Sequence, residues 1–233
     1  MTPPIQQLLL FDIDGTLMIT RGMTSRCIER TGKQLFEDSF VMGSISPGRL
    51  DQQLFSDIAG NNGITLTHEL LAQWKVLYFD ALENELASKP EDIIVLPGVR
   101  ELWEAVHAAP GVAVGLLTGN FRKASHLKLD AAKIDTSRLY VEVHGEDAED
   151  RVGLVHVAMH AMAEQGTTLD PQQVIILGDT PRDIACARGA GCRCLAVATG
   201  RYGADQLAEH SPDILFNDLL STRDVLASLS INQ

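Results

Sequence analysis

The sequence is poor in cations, with 19 Lys and Arg against 31 Asp and Glu and a formal net charge of −12. Such a surface repels phosphate backbones and anionic lipid, so nucleic acid and membranes are unfavourable partners. A small anionic ligand stays compatible with it if cations are gathered locally. The four cysteines, Cys27, Cys186, Cys192 and Cys194, show no CxxC spacing. They read as reduced thiols of a cytoplasmic protein, with Cys192 and Cys194 as small hydrophobes beside a strand rather than half of a zinc site. Long apolar runs are also missing. The opening MTPPIQQLLLF has no basic region, and Asp12 cuts its apolar stretch, so it reads as neither a signal peptide nor a membrane span. No internal repeat or low-complexity tract is present.

What the sequence does have is enough apolar material for a sizeable core: 233 residues, 45% hydrophobic and 21% charged. The apolar runs LLLF (8–11), VAVGLLT (112–118), YVEV (140–143), VIILG (174–178) and CLAVA (194–198) read as buried strands. Helical patterns alternate with them. LPGVRELWEAVHAA carries Leu102 and Val106 on one face. RVGLVHVAMHAMAEQG carries Val155, Ala158, Met159 and Met162, and DTPRDIACARGAG leads into the last strand. Short buried strands alternating with helices predict an α/β fold with a doubly wound, mainly parallel, Rossmann-like sheet. Residues 19–90 break the rhythm. GRLDQQLFSDIAGNNG predicts a short helix stopped by Gly60. THELLAQWKVLYFDALENELASKP predicts a long one, with Leu70, Trp74, Leu77, Ala81 and Leu82 on one stripe. The expected organisation is a core of residues 1–18 and 91–233 with an all-helical insert, 19–90, after the first strand.

In such a sheet, ligands bind where the strands end, near the reversal of strand order. Asp12-Ile13-Asp14 follows the first strand, Thr118-Gly119-Asn120 follows VAVGLL, and Asp179-Thr180-Pro181-Arg182-Asp183 follows VIILG. Asp14-Gly15 alone could be a hairpin turn, and Thr118-Gly119-Asn120 a simple strand-to-helix bend. Thr180 and Asp183 form a capping box around Pro181, an alternative to a role for Asp183 in chemistry. Hairpin chemistry explains nothing beyond the first of the three segments, and the cap leaves Asp179 unexplained.

Together, Asp12-Ile13-Asp14-Gly15-Thr16, Leu117-Thr118-Gly119-Asn120 and Gly178-Asp179-Thr180-Pro181-Arg182-Asp183 resemble, in order, three of the four signature motifs of the haloacid dehalogenase-like hydrolase superfamily. The helical insert resembles the cap of its phosphoglycolate phosphatase-like branch. The resemblance implies a phosphatase acting on a small phosphorylated metabolite. Asp12 would be the nucleophile that forms an aspartyl phosphate, and Asp14 the acid/base. Asp12, Asp179 and the backbone carbonyl of Asp14 would hold Mg²⁺, whose charge offsets the repulsion between the two acids. Thr118, with Gly119 and Asn120, would bind the phosphoryl group, and Asp183 would support the site.

The fourth motif departs from the family pattern. Its usual lysine is missing from GEDAEDRVGLVHVAMH, where Arg151 is the one cation, preceded by Asp150 as a candidate N-cap. Arg151 is the favoured phosphate clamp, and Lys128 and Lys123 are its rivals. Arg49 reads as an exposed arginine or one that reaches the substrate, and His156 and His160 as helix-surface histidines. Other readings are a sugar-phosphate mutase or a dehalogenase of the same superfamily. Asp14 argues against the dehalogenase, which has no leaving oxygen to protonate. A phospho-acceptor signalling domain, of a different class, would carry its aspartate after a middle strand rather than the first.

Overall fold

The computed structural model describes residues 3–37, 39–43 and 47–231, so the two ends of the expected core and positions 38 and 44–46 of the insert lie outside the described residues. Six parallel strands form the main sheet. They are β1 (Gln7–Phe11), β4 (Val112–Leu117), β5 (Val141–Val143), β6 (Val174–Gly178), β7 (Arg193–Val197) and β8 (Ile214–Phe216), in the spatial order β5-β4-β1-β6-β7-β8. The chain winds outward from β1 to β5, then crosses back to β6, which places the reversal of strand order at β1. Phe11 stands level with Leu116 on one side and Leu177 on the other. The segments after these three strands therefore emerge side by side.

Full burial on both faces explains why these strands are unbroken apolar runs. Leu9 and Phe11 pack beneath α4 (Val99–Ala108) and α9 (Thr222–Ser228), whereas Leu8 and Leu10 pack beneath α6 (Arg151–Glu164) and α7 (Pro181–Gly189). Asp150 caps α6 by accepting the Gly153 N–H at 2.7 Å. Helix α7 opens on the expected capping box of Thr180 and Asp183 with Pro181 in its first turn. Each such cap contributes about 1 kcal/mol.

The helical segment lies between two short strands, β2 (Met18–Ile19) and β3 (Ile94–Val95), which pair antiparallel. That pairing removes the hairpin reading of Asp14-Gly15, because β1 pairs with β4 and β6 and never with β2. Three helices follow β2: α1 (Met23–Phe36), which the sequence reading did not contain, α2 (Asp51–Asn61) and α3 (His68–Ser88). Gly60 does not stop α2. It sits in the last turn, and the chain leaves the helix through Gly63, whose φ is +70°. On α3 the buried stripe is Trp74, Tyr78, Ala81, Leu82 and Leu86, so Trp74, Ala81 and Leu82 are buried as expected and Leu70 and Leu77 are half-buried. These side chains share a cluster with Phe121 and Ala124. Both of those belong to the turn after β4 and to α5 (Arg122–Ala131), so the helices are fastened to the sheet by apolar contact.

Candidate active site

A cavity of about 440 Å³ opens above the carboxyl ends of the central strands, between the sheet and the helical segment, and is lined by Asp12, Asp14, Asn120, Arg151 and Asp179. Asp12 leaves β1 directly and is 4% exposed. Asp179 leaves β6 and is also buried. Gly15, with φ of +88°, lets the chain after Asp14 fold back so closely that a Cβ there would strike the Asp179 carboxylate. The Thr16 hydroxyl donates to Asp179 Oδ1 at 3.4 Å, and the Thr199 hydroxyl donates to the Gly15 carbonyl at 2.6 Å.

Ligand atoms of Asp12, Asp179 and Asp183 lie within 4.8 Å of one another. Burial, and then the neighbouring carboxylates, push Asp179 up to about 9. Asp12 rises to about 7, again chiefly through burial, although Arg151 pulls it down. Asp12 and Asp179, buried this close together, resist ionising at the same time. The donors are all carboxylate oxygens, so the cluster fits a hard divalent cation, which would let the acids keep their charge.

Two cations flank the acids. Arg151, the first residue of α6, donates to Asp183 in a short ion pair, and its Nη2 lies 3.6 Å from Asp12 Oδ2. The carboxylates give an arginine its reason to stand at a helix start, where the macrodipole disfavours it. Its Nε is buried with no hydrogen-bond partner among the described residues. Asp183 thus does two things at once: it closes the capping box and holds Arg151. Lys128 is also there. Its Nζ donates to Asp14 Oδ2 at 2.7 Å and to Asn120 Oδ1 at 2.6 Å, and the residue is wholly buried. Arg151 and Lys128 therefore occupy opposite sides of the Asp12-Ile13-Asp14 segment, instead of one cation serving alone. Lys123 is not brought in, since its Nζ sits 5.4 Å over the Phe79 ring. The signal for Lys128 was its helical register: Ala124, Ser125, Lys128 and Leu129 form one buried stripe on α5.

Thr118 is fully buried, and its hydroxyl oxygen accepts from the Asn120 backbone N–H at 3.3 Å and side-chain amide at 2.9 Å. That amide also reaches Asp14 Oδ2 at 2.7 Å. Gly119 is required here because a Cβ would strike the Arg49 carbonyl of the helical segment. The same approach places two reciprocal hydrogen bonds that sequence reasoning missed. The Asp51 N–H donates to the Gly119 carbonyl at 2.7 Å, and Asp51 Oδ2 accepts the Phe121 N–H at 2.8 Å. Burial raises Asp51 to about 6, against the opposing pull of Lys128 and the Phe121 N–H. Arg49 borders the cavity and pairs with Asp57 at 2.9 Å. His156 and His160 are exposed on α6, away from the site. All four cysteines are buried and free.

The site is thus a doubly wound sheet with buried acids after β1 and β6, cations on either side of them and a helical cover. Residues 153–222 match the family model described as HAD-hydrolase-like. Phosphoglycolate phosphatase of Vibrio vulnificus is 24% identical over 97% of this chain and 98% of its own length. The corresponding enzyme of Salmonella paratyphi A is 29% identical over 61% of this chain, and there the match spans only 55% of the relative. The crystal structure of CbbY from Rhodobacter sphaeroides in complex with phosphate superposes with a TM-score of 0.72 at 18% identity, covering 97% of this chain and all of that one. The chain is thus similar to haloacid dehalogenase-like hydrolases, phosphoglycolate phosphatases among them.

Proposed function

We propose that the protein is a Mg²⁺-dependent phosphatase that hydrolyses a small phosphomonoester through an aspartyl phosphate on Asp12. The carrying observation is the juxtaposition of Asp12, Asp14, Asp179 and Arg151 around one cavity, with Lys128 held against Asp14. The similarity to phosphatases supports the same reading. Asp12, Asp179 and the Asp14 carbonyl would hold the cation, which supplies charge neutralisation for an incoming phosphate and for the acids themselves.

In this reading the Asp12 carboxylate attacks phosphorus, and the bond from phosphorus to the leaving oxygen breaks. Asp14 gives its proton to that oxygen. It then takes a proton from the water that attacks the phosphorylated Asp12, which releases inorganic phosphate, frees the Asp12 carboxylate and returns Asp14 to its protonated form. Arg151 offers its fork of donors to the phosphoryl oxygens. Thr118 and the Gly119 and Asn120 backbone bind the remaining oxygens, and Lys128 holds Asp14 and Asn120 in register. A cytoplasmic location accords with four free, buried thiols, and among the described residues no helix is long and apolar enough to cross a membrane.

The test is phosphate release from a panel of phosphorylated metabolites, with Mg²⁺ and with excess chelator. Release that needs the cation is expected, and release unaffected by the chelator overturns the reading.

A further inference from the structure

Near the Thr118–Asn120 loop, among residues that do not line the cavity, stands a second group of metal-ligating side chains that the phosphatase reading does not use. His126 on α5, Glu142 on β5 and His144 just after β5 offer three ligand atoms within 4.8 Å of one another. His126 Nε2 lies 2.7 Å from Glu142 Oε2, and His144 Nε2 lies 3.3 Å from the same oxygen. The two rings are nearly perpendicular, at 88° with centroids 5.6 Å apart, so both imidazole edges converge on one point. Glu142 reaches this point because β5 is the sheet's edge strand, and the side chain between Val141 and Val143 turns to the opposite face.

The hydrogen bonds around His144 favour a cation there. His144 is fully buried. Its Nδ1 lies 3.1 Å from the Ser125 hydroxyl, which also reaches the Phe121 carbonyl at 3.2 Å. A carbonyl only accepts. When the hydroxyl donates to it, Ser125 Oγ must accept from His144 Nδ1–H, and His144 Nε2 is left with its lone pair facing the Glu142 carboxylate. In that tautomer a cation between the two satisfies both, whereas in the other His144 Nε2–H donates to Glu142 itself. This serine-to-histidine bond is also the kind of outer contact that fixes the tautomer of a metal-bound imidazole.

We infer that His126, Glu142 and His144 form a second metal site, for a borderline divalent cation such as Zn²⁺, separate from the aspartate cluster. Two imidazoles and one carboxylate are a zinc-type donor set that leaves a fourth position for water, and a hard cation such as Mg²⁺ prefers the all-oxygen site. Access is from the surface, where His126 borders a shallow cavity with Arg122, Lys123, Leu127, Asp130 and Glu146. Arg122 lies 3.9 Å from Glu142 but has Asp147 at 2.9 Å to pair with, which leaves the carboxylate to the metal. Binding requires each ring to be neutral with its proton on Nδ1, so that Nε2 offers its lone pair to the metal.

The test is Zn²⁺ titration of the metal-stripped full-length chain against a chromophoric chelator, with excess Mg²⁺ present to occupy the aspartates. One tightly held Zn²⁺ is expected in the wild type and in Asp12→Asn. His126→Ala and Glu142→Gln, both at partly exposed positions, should weaken it by about a hundredfold, and Ser125→Ala by about tenfold, the range seen when an outer partner of a metal ligand is lost. The site is overturned if the wild type holds no Zn²⁺ under these conditions, if His126→Ala binds as the wild type does, or if Asp12→Asn loses the ion.

Discussion

Replacing Lys128 by methionine separates a working cation from a structural one. Methionine keeps the length and the apolar stem and removes only the ammonium, which makes hydrogen bonds of 2.7 and 2.6 Å to Asp14 and Asn120. Truncating one side of a fully buried ion pair costs about 3 to 5 kcal/mol. Here the Asp14 side chain is 40% exposed, so water recovers part of its charge and the stability loss should stay near 1 to 2 kcal/mol. The kinetic loss should be larger. With the ammonium gone, the Asp14 carboxylate and the Asn120 amide lose a shared anchor at the reacting end of the site. An oriented donor of this kind is worth about a hundredfold or more in kcat. Initial rates on p-nitrophenyl phosphate at saturating Mg²⁺, beside urea unfolding of the same variant, measure both numbers. A folded Lys128→Met enzyme with kcat within fivefold of wild type would refute the reasoning. Lys123→Ala, whose ammonium lies on an aromatic ring outside the cavity, should leave the rate unchanged.

Arg151→Ala should lower kcat by about a hundredfold or more and also destabilise the fold, because Asp183 is left buried with its charge unpaired; steady-state rates and thermal unfolding check the two effects. Asp12→Asn should abolish turnover yet raise the melting temperature of the metal-free protein near pH 8, since it removes one of three mutually repelling buried acids; calorimetry in chelator decides, and a lowered melting temperature contradicts it. Asp51 has a folded pKa of about 6, above its ordinary value of 3.8, so its contribution to stability is present below about pH 4 and lost as pH rises through about 6. Wild type minus Asp51→Asn, followed by urea unfolding between pH 4 and 7, should show this loss at about 3 kcal/mol, and parallel curves would show that Asp51 carries none of it.

Strands β1, β4, β6 and β7 were legible because burial on both faces writes them as unbroken apolar runs. Strand β8 was not, since its three residues are all half-buried and nothing distinguishes Ile-Leu-Phe from a loop packed on the sheet. Helix α1 was missed for a related reason: Thr31 and Gly32 interrupt its apolar stripe, although both are buried. At the site, Asp12 and Asp179 announced themselves as acids ending buried strands, and Arg151 as a cation at a helix start. Lys128 stood beside Lys123 as a rival to Arg151, and the sequence could not separate the three because periodicity records where a side chain points and not what it meets there. Asp51 could not be read at all, because its partners, Gly119 and Phe121, are far away in the chain and meet it through backbone groups that leave no mark on the sequence.

The hydrogen bonds between Asp51 and the backbone at Gly119 and Phe121 bear on how such a chain can be shortened or recombined. The helical segment completes the wiring of the turn that carries Thr118 and Asn120, and it supplies the apolar cover for Phe121 and Ala124. A chain spliced from Ile19 to Ile94 would keep every strand of the sheet. It would also lose the acceptor for the Phe121 N–H and bare an aromatic ring beside the acids. A graft of the helices from a distant relative meets the same demand, for it must bring its own aspartate and its own close backbone approach at Gly119. Substrate range is therefore open to change at cavity positions such as Ile19, Thr24 and Leu54, where side chains alone are exchanged, and closed to wholesale replacement of the cover.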